Sequence, residues 1–122
     1  MQRFLLVVAL AACGGAPKSG ATSATADAIA RGRAVVDNKG CQVCHTVDGS
    51  QRVGPTWKGL WNSDVELADG KRLHVDATYL RRSIITPLAD IVVGFPPTMP
   101  SFEGQLKDSE LDDVIAYIQS LR

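Results

Sequence analysis

Apolar positions recur at helical spacing in three stretches of the chain and alternate in one. In residues 28–39, Ile29, Gly32, Val35 and Val36 share one face, Arg31, Arg33 and Asp37 lie outside it, and Gly40 follows as a stop. Residues 77–86 set Tyr79, Leu80, Ile84 and Ile85 against Arg81 and Arg82, with Asp76 placed as an N-cap and Pro87 ending the helix. A last helix, capped by Asp108 or Ser109, runs to Leu121 on the stripe Leu111, Val114, Ile115 and Ile118. A short helix is also expected over residues 56–62, carrying Trp57, Leu60 and Trp61. Strand alternation shows at Val65, Leu67, Leu73 and Val75, around Asp69-Gly70, a dipeptide that supplies positive φ in a tight hairpin turn. Residues 48–55 are rich in turn formers, and Pro96, Pro97 and Pro100 exclude regular structure from residues 94–104. The pattern predicts a mostly helical domain with long structured loops and one small hairpin.

The N-terminal end reads differently. Arg3 precedes the apolar run 4–12, which is too short to span a bilayer and has the shape of a secretory h-region. It leads to Leu10-Ala11-Ala12-Cys13, which resembles the lipobox of bacterial lipoproteins, with acylation expected at Cys13; an ordinary signal peptide with an incidental cysteine is the alternative. Residues 14–26 are small or polar, and are expected to form a flexible tether with a reach of about 20 Å. The expected organisation is a signal peptide over 1–12, a lipidated cysteine and tether over 13–26, and a folded domain over 27–122. That places the domain on the periplasmic side, held at a membrane by lipid.

Composition narrows the function classes. A length of 122 residues allows one domain, and thirteen basic residues against thirteen acidic ones offer no case for a nucleic-acid partner. Aromatic residues make up only 6%, so a large cofactor inside so small a domain would matter to its stability.

The decisive chemistry lies in Cys41-Gln42-Val43-Cys44-His45. Two thiols separated by two residues can each add to a vinyl group of haem, and the adjacent histidine then serves as proximal iron ligand. A redox disulfide, a zinc site and a chance match compete with this reading. The disulfide motif expects a βαβ context, whereas a helix precedes Cys41. Zinc needs four ligands, and beyond this segment the mature chain adds only Cys13 and His74. The cysteine count closes without remainder if Cys13 takes lipid and the other two take haem. For the second axial position the candidates are Met99, set between prolines in the 94–104 loop, and His74 in the hairpin; Met99 as a core gap-filler is the alternative.

The segments GCQVCH, VGPTWKGLW, LADG, GFPPTMPSF and LDDVIAYIQSLR, spread over residues 28–121, resemble a class I cytochrome c. They are most similar to the cytochrome c domain fused to subunit II of caa-type cytochrome c oxidases. The resemblance implies a mostly α fold in which N- and C-terminal helices cross around one covalent haem, with a small β-hairpin insertion. It implies Met99 as axial ligand, the Pro55 carbonyl on the proximal histidine ring, and Gly32 and Tyr117 at the helix crossing. Trp57, Trp61 and Tyr79 become candidate contacts to the haem edge or propionates, with ordinary core packing as the other reading. The chain departs from that oxidase subunit in carrying a lipobox and tether ahead of the domain, so a free-standing protein is expected.

The functional expectation is a single-electron carrier with one haem c, shuttling between redox proteins of the respiratory chain, with cytochrome c oxidase as acceptor. Methionine–histidine ligation fills both axial positions. An enzyme, a small haem peroxidase or reductase in which Met99 leaves the iron, is the second class, and lacks a convincing distal acid–base residue beyond His74. The third is a subunit of a larger assembly; a monomer or a loosely associated subunit is expected. Lys39, Arg52, Lys58, Arg72, Arg81, Arg82 and Lys107 could form a basic docking face or merely part of a mixed surface, with Asp64, Glu66, Asp69 and Asp76 interleaved.

Overall fold

The computed structural model describes the backbone of residues 20–122 and the side chains from residue 25 onward. Cys13, the apolar run 4–12 and the first part of the expected tether lie outside the described residues. Among the described residues there are three α-helices, α1 (Gly20–Lys39), α2 (Ala77–Ile85) and α3 (Asp108–Ser120), with a two-stranded hairpin, β1 (Asp64–Glu66) and β2 (Arg72–His74), between the first two. None of the described helices is long and apolar enough to cross a membrane. The expected mostly helical fold with a small hairpin is what the structure shows.

Helix α1 begins at Gly20, ahead of the Ala28 expected from the sequence, so the second half of the expected tether is helical. Each residue added to an existing helix gains one hydrogen bond, and the alanines at 21, 24 and 26 favour that extension. At the other end Gly40 turns left-handed, φ 70°, and stops the helix as expected.

α1 and α3 cross at Gly32. A Cβ built there would sit 1.9 Å from the Asp113 carbonyl oxygen and 3.0 Å from the Tyr117 Cβ, so only glycine lets the backbones approach this closely. The Arg31 guanidinium clamps the same crossing with a two-pronged hydrogen bond to Asp113, 2.8 and 2.9 Å. Behind it Val36, Leu111, Val114, Ile115, Tyr117 and Ile118 form the core, joined by Trp57, Val75 and Leu80 from the middle of the chain. Burying each such side chain is worth about 1.5–3 kcal/mol. The N-cap of α3 is Lys107, one residue before the expected Asp108 or Ser109: the Lys107 N–H donates to the Glu110 carboxylate at 2.8 Å, the reciprocal half of a capping box.

The expected helix over residues 56–62 is absent. Gly59 at φ 69° and Asn62 at φ 63° leave helical space, and two successive turns form instead, Leu60 N–H to Trp57 O and Ser63 N–H to Leu60 O. In the hairpin Val65 faces Leu73 as the alternation requires. Its loop is longer than the two-residue turn expected at Asp69-Gly70. Leu67 N–H bonds to Lys71 O, and Gly70 alone takes positive φ, the signature of a three-residue loop. The outer edge of β1 is covered by the segment after α2, where Leu67 bridges Val92 and Ala68 N–H reaches Ile91 O at 2.7 Å. That segment thereby becomes a wall of the functional site.

Candidate haem site

The left-handed turn at Gly40 redirects the chain from α1 into a single 3-10 turn, Cys41–Val43. Val43 N–H bonds to Gly40 O at 3.0 Å and His45 N–H to Cys41 O at 3.1 Å, a tight turn that carries Cys41, Cys44 and His45 to one cavity. Arg52 holds the outside of the turn by donating to Gln42 O at 2.9 Å. Both thiols are free, and burial pushes the Cys41 thiol above its ordinary pKa. Among the described residues no three His, Cys, Asp or Glu side chains gather as a metal cluster, so the zinc reading has no ligand set there.

The orientation of His45 is set from three sides. Its Nδ1 lies 2.7 Å from the Pro55 carbonyl oxygen. A carbonyl only accepts, so Nδ1 must carry the proton and Nε2 is left with its lone pair. The ring stacks on Trp57 with centroids 5.0 Å apart and 21° between planes. Gly54 lies against the third side: a Cβ there would come within 2.6 Å of the ring Cε1 and 2.8 Å of Nδ1. Burial pulls the His45 pKa below its ordinary value, and the Pro55 contact opposes this only in part. The group is therefore a neutral, fixed imidazole with one free nitrogen, the state a metal ligand requires.

Met99 lies in the loop between α2 and α3. Its loop is pinned to the last turn of α2, where Ser101 Oγ donates to Ile85 O at 2.6 Å and Phe102 N–H to Ile84 O at 3.2 Å. Thr98 N–H bonds to Pro96 O at 2.9 Å, so the residues before Met99 are internally braced as well. Met99 is half-buried and lines the same cavity as Cys41, Cys44 and His45. The cavity has a volume of about 360 Å³ and a wall that is mostly apolar, including Leu80, Ile84, Phe95 and Phe102.

Of the aromatic candidates, Trp57 and Tyr79 border the cavity. Trp61 is not part of its lining and packs against the hydrophobic core, which is the alternative weighed for it. His74 is also elsewhere: it sits exposed on β2, with Nδ1 2.9 Å from Asp64 and Nε2 3.1 Å from Asn62. Polar groups also border the cavity, Tyr79, Ser83 and Asp90 among them. Burial raises the Tyr79 phenol above its ordinary pKa, Ser83 Oγ is buried without a hydrogen-bond partner, and Asp90 pairs with Arg82 Nε at 3.0 Å. Neither Ser83 nor Asp90 is visible in the sequence as a site residue, since one falls between apolar helix positions and the other in a loop. Gly54 was equally hidden, although its place beside Pro55 is a signal that the backbone must pass close to a ring.

The donor set fits a covalent haem. Two free thiols, an imidazole with a free Nε2 and a thioether all border one apolar cavity, and the glycine at 54 leaves room for the ring that must hold its angle. A family model described as Cytochrome c matches residues 29–122. No curated protein matches the chain.

Proposed function

The chain belongs to the cytochrome c family, and on that premise we propose that it is a lipid-anchored shuttle carrying single electrons between respiratory complexes and on to a terminal oxidase. Membership of the family makes it an electron-transfer protein with one covalent haem c. In our reading Cys41 and Cys44 would hold the haem by thioether bonds, and His45 Nε2 and the Met99 thioether would ligate its iron. Bound haem iron supplies one-electron redox chemistry at a potential raised by methionine–histidine ligation.

The chain's own residues hold that chemistry in place. Pro55 fixes the His45 tautomer, and Trp57 and Gly54 fix its angle. The α2 anchors hold the Met99 loop, so the ligand set changes little between oxidation states. The apolar wall keeps water from the iron, with Trp57 and Tyr79 as its aromatic part. Acylation of Cys13 places the domain at a membrane on the periplasmic side, and the resemblance to the caa-type oxidase domain points to an oxidase as acceptor. Lipid attachment raises local concentration, so docking can be brief and weak.

The observation that carries this reading is the convergence of His45, Met99, Cys41 and Cys44 on one cavity. Its test is carbon monoxide added to the reduced, haem-loaded protein at neutral pH. A closed iron leaves the Soret band unshifted. Rapid carbon monoxide binding would show an open iron and put the peroxidase or reductase reading in its place.

A further inference from the structure

Two charged residues belong to the cavity lining, Lys39 and Asp90. Lys39 is partly buried at the last turn of α1, and its long side chain can carry the ammonium out to water. Asp90 has no such freedom. Its side chain is 9% exposed, and its Oδ2 is buried with no hydrogen-bond partner among the described residues. Arg82 Nε stands 3.0 Å from that oxygen, an ionic approach without the direction of a hydrogen bond. Arg82 lies outside the lining with its side chain 57% exposed, so water screens it far more than the carboxylate it faces.

Little else near Asp90 neutralises it. Ser83 Oγ, in the same lining, is also buried and unpartnered. On the hairpin side Lys71 is bound to Asp69 at 2.8 Å, the main cause of its raised pKa, to which Asp90 adds a minor part. The Tyr79 phenol is raised first by burial, and the charge of Asp90 adds to that rise, so the field of the carboxylate reaches along the cavity wall. We propose that Asp90 is a fixed negative charge of the haem cavity, and that it sets the reduction potential below the value that the axial ligands alone would give. Reduction of the bound haem adds one electron and lowers the charge of the site by one, with no bond made or broken in the chain. An anion in the wall favours the more positive, oxidised state and so opposes that step. The apolar surroundings keep the local dielectric low, which lets the charge act across the cavity. Arg82, largely in water, cancels only part of it.

This inference rests on the cavity being the haem site. Reduction potentials of the haem-loaded protein are measured against a redox reference at neutral pH, at about 0.01 M and about 1 M salt, where the Debye length is about 30 Å and about 3 Å. Asp90→Asn is expected to shift the equilibrium about tenfold toward the reduced form, or about 59 mV for one electron. Asp90→Ala should move it the same way, while Asp90→Glu keeps the charge and should stay within about threefold of wild type. Ser83→Ala, which removes a hydroxyl and no charge, should shift it less than about twofold. Asp108→Asn removes an equal charge from a side chain 99% exposed, and should shift it less than about twofold at low salt and not at all at high salt. The Asp90→Asn shift should persist at high salt, because a buried charge is little screened. A shift within about twofold of wild type, one toward the oxidised form, one that salt abolishes, or an equal shift in Ser83→Ala would overturn the proposal. Ligation is checked in each sample by the methionine–iron charge-transfer band. Loss of the band in both Asp90→Asn and Asp90→Ala would make Asp90 a support of the Met99 loop and overturn its role as a tuning charge. An unchanged potential with the band intact rejects that role alone, whereas absence of the band from the wild type rejects the ligation beneath it.

Discussion

Replacing Gly54 by alanine should damage the site far more than its single added methyl suggests. The new Cβ would lie 2.6 Å from Cε1, 2.8 Å from Nδ1 and 3.1 Å from Nε2 of His45, where ordinary contact begins at 3.4 Å. The ring must retreat by about 0.8 Å, and the 2.7 Å bond from Nδ1 to Pro55 O is the contact that such a shift breaks. Overpacking of this kind costs about 1–3 kcal/mol. An unmade hydrogen bond at a mostly buried ring costs a similar amount. The combined expectation is a loss of about 2–6 kcal/mol. Pro55→Ala is the control, because it keeps the carbonyl and should cost less than about 1 kcal/mol. The assay is denaturant unfolding of haem-loaded protein, followed by the Soret band and by far-ultraviolet circular dichroism. A Gly54→Ala protein within about 0.5 kcal/mol of wild type would refute the reasoning, as would equal losses in the two variants.

Three further outcomes are expected. Gly32→Ala should destabilise by about 3 kcal/mol or more, because the clash at 1.9 Å is with the Asp113 backbone, and this outweighs the roughly 1 kcal/mol of helix propensity gained; denaturant midpoints compared with Ala34→Gly, on the exposed side of α1, give the sign at each position. The Asp48 carboxylate is held below its ordinary pKa by hydrogen bonds from the Ser50 hydroxyl and N–H, so its stabilising contribution is present above the unfolded carboxylate pKa and is lost as pH falls through the folded value; Asp48→Asn should flatten the acid limb of stability against pH. Cys13→Ser should move the protein from the membrane fraction to the soluble fraction, read by immunoblot of fractionated cells, if lipid at that residue is the anchor.

Much of the site was legible because its chemistry is local in sequence. The CxxCH run fixes two thiols and an imidazole within five residues, and the prolines around Met99 announce a rigid loop. Helix α2 was equally plain, since Asp76 caps it through Tyr79 N–H at 2.7 Å and Pro87 stands just beyond its end. The approach of α1 to α3 at Gly32 followed from family resemblance and could not be read from periodicity, which treats a glycine as one more small residue. What the pattern hid was non-local. The turns at Gly59 and Asn62 interrupt an apolar spacing that still looks helical, and the start of α1 depends on propagation from a packed helix rather than on an apolar stripe. The bridge between Leu67 and Val92 joins segments with no shared signature, yet it holds the wall in which Asp90 sits. Trp61 packs against the core without joining the cavity lining, while Trp57 does both, a distinction that only packing makes.

The central claim is that Met99 closes the iron opposite His45. The most direct measurement is the near-infrared methionine–iron charge-transfer band of the oxidised, haem-loaded protein, recorded for wild type, Met99→Ala and His74→Ala. The account predicts the band in wild type and in His74→Ala, and its loss in Met99→Ala with the haem still covalently attached. Absence of the band from the wild type, or its survival in Met99→Ala, would contradict the account.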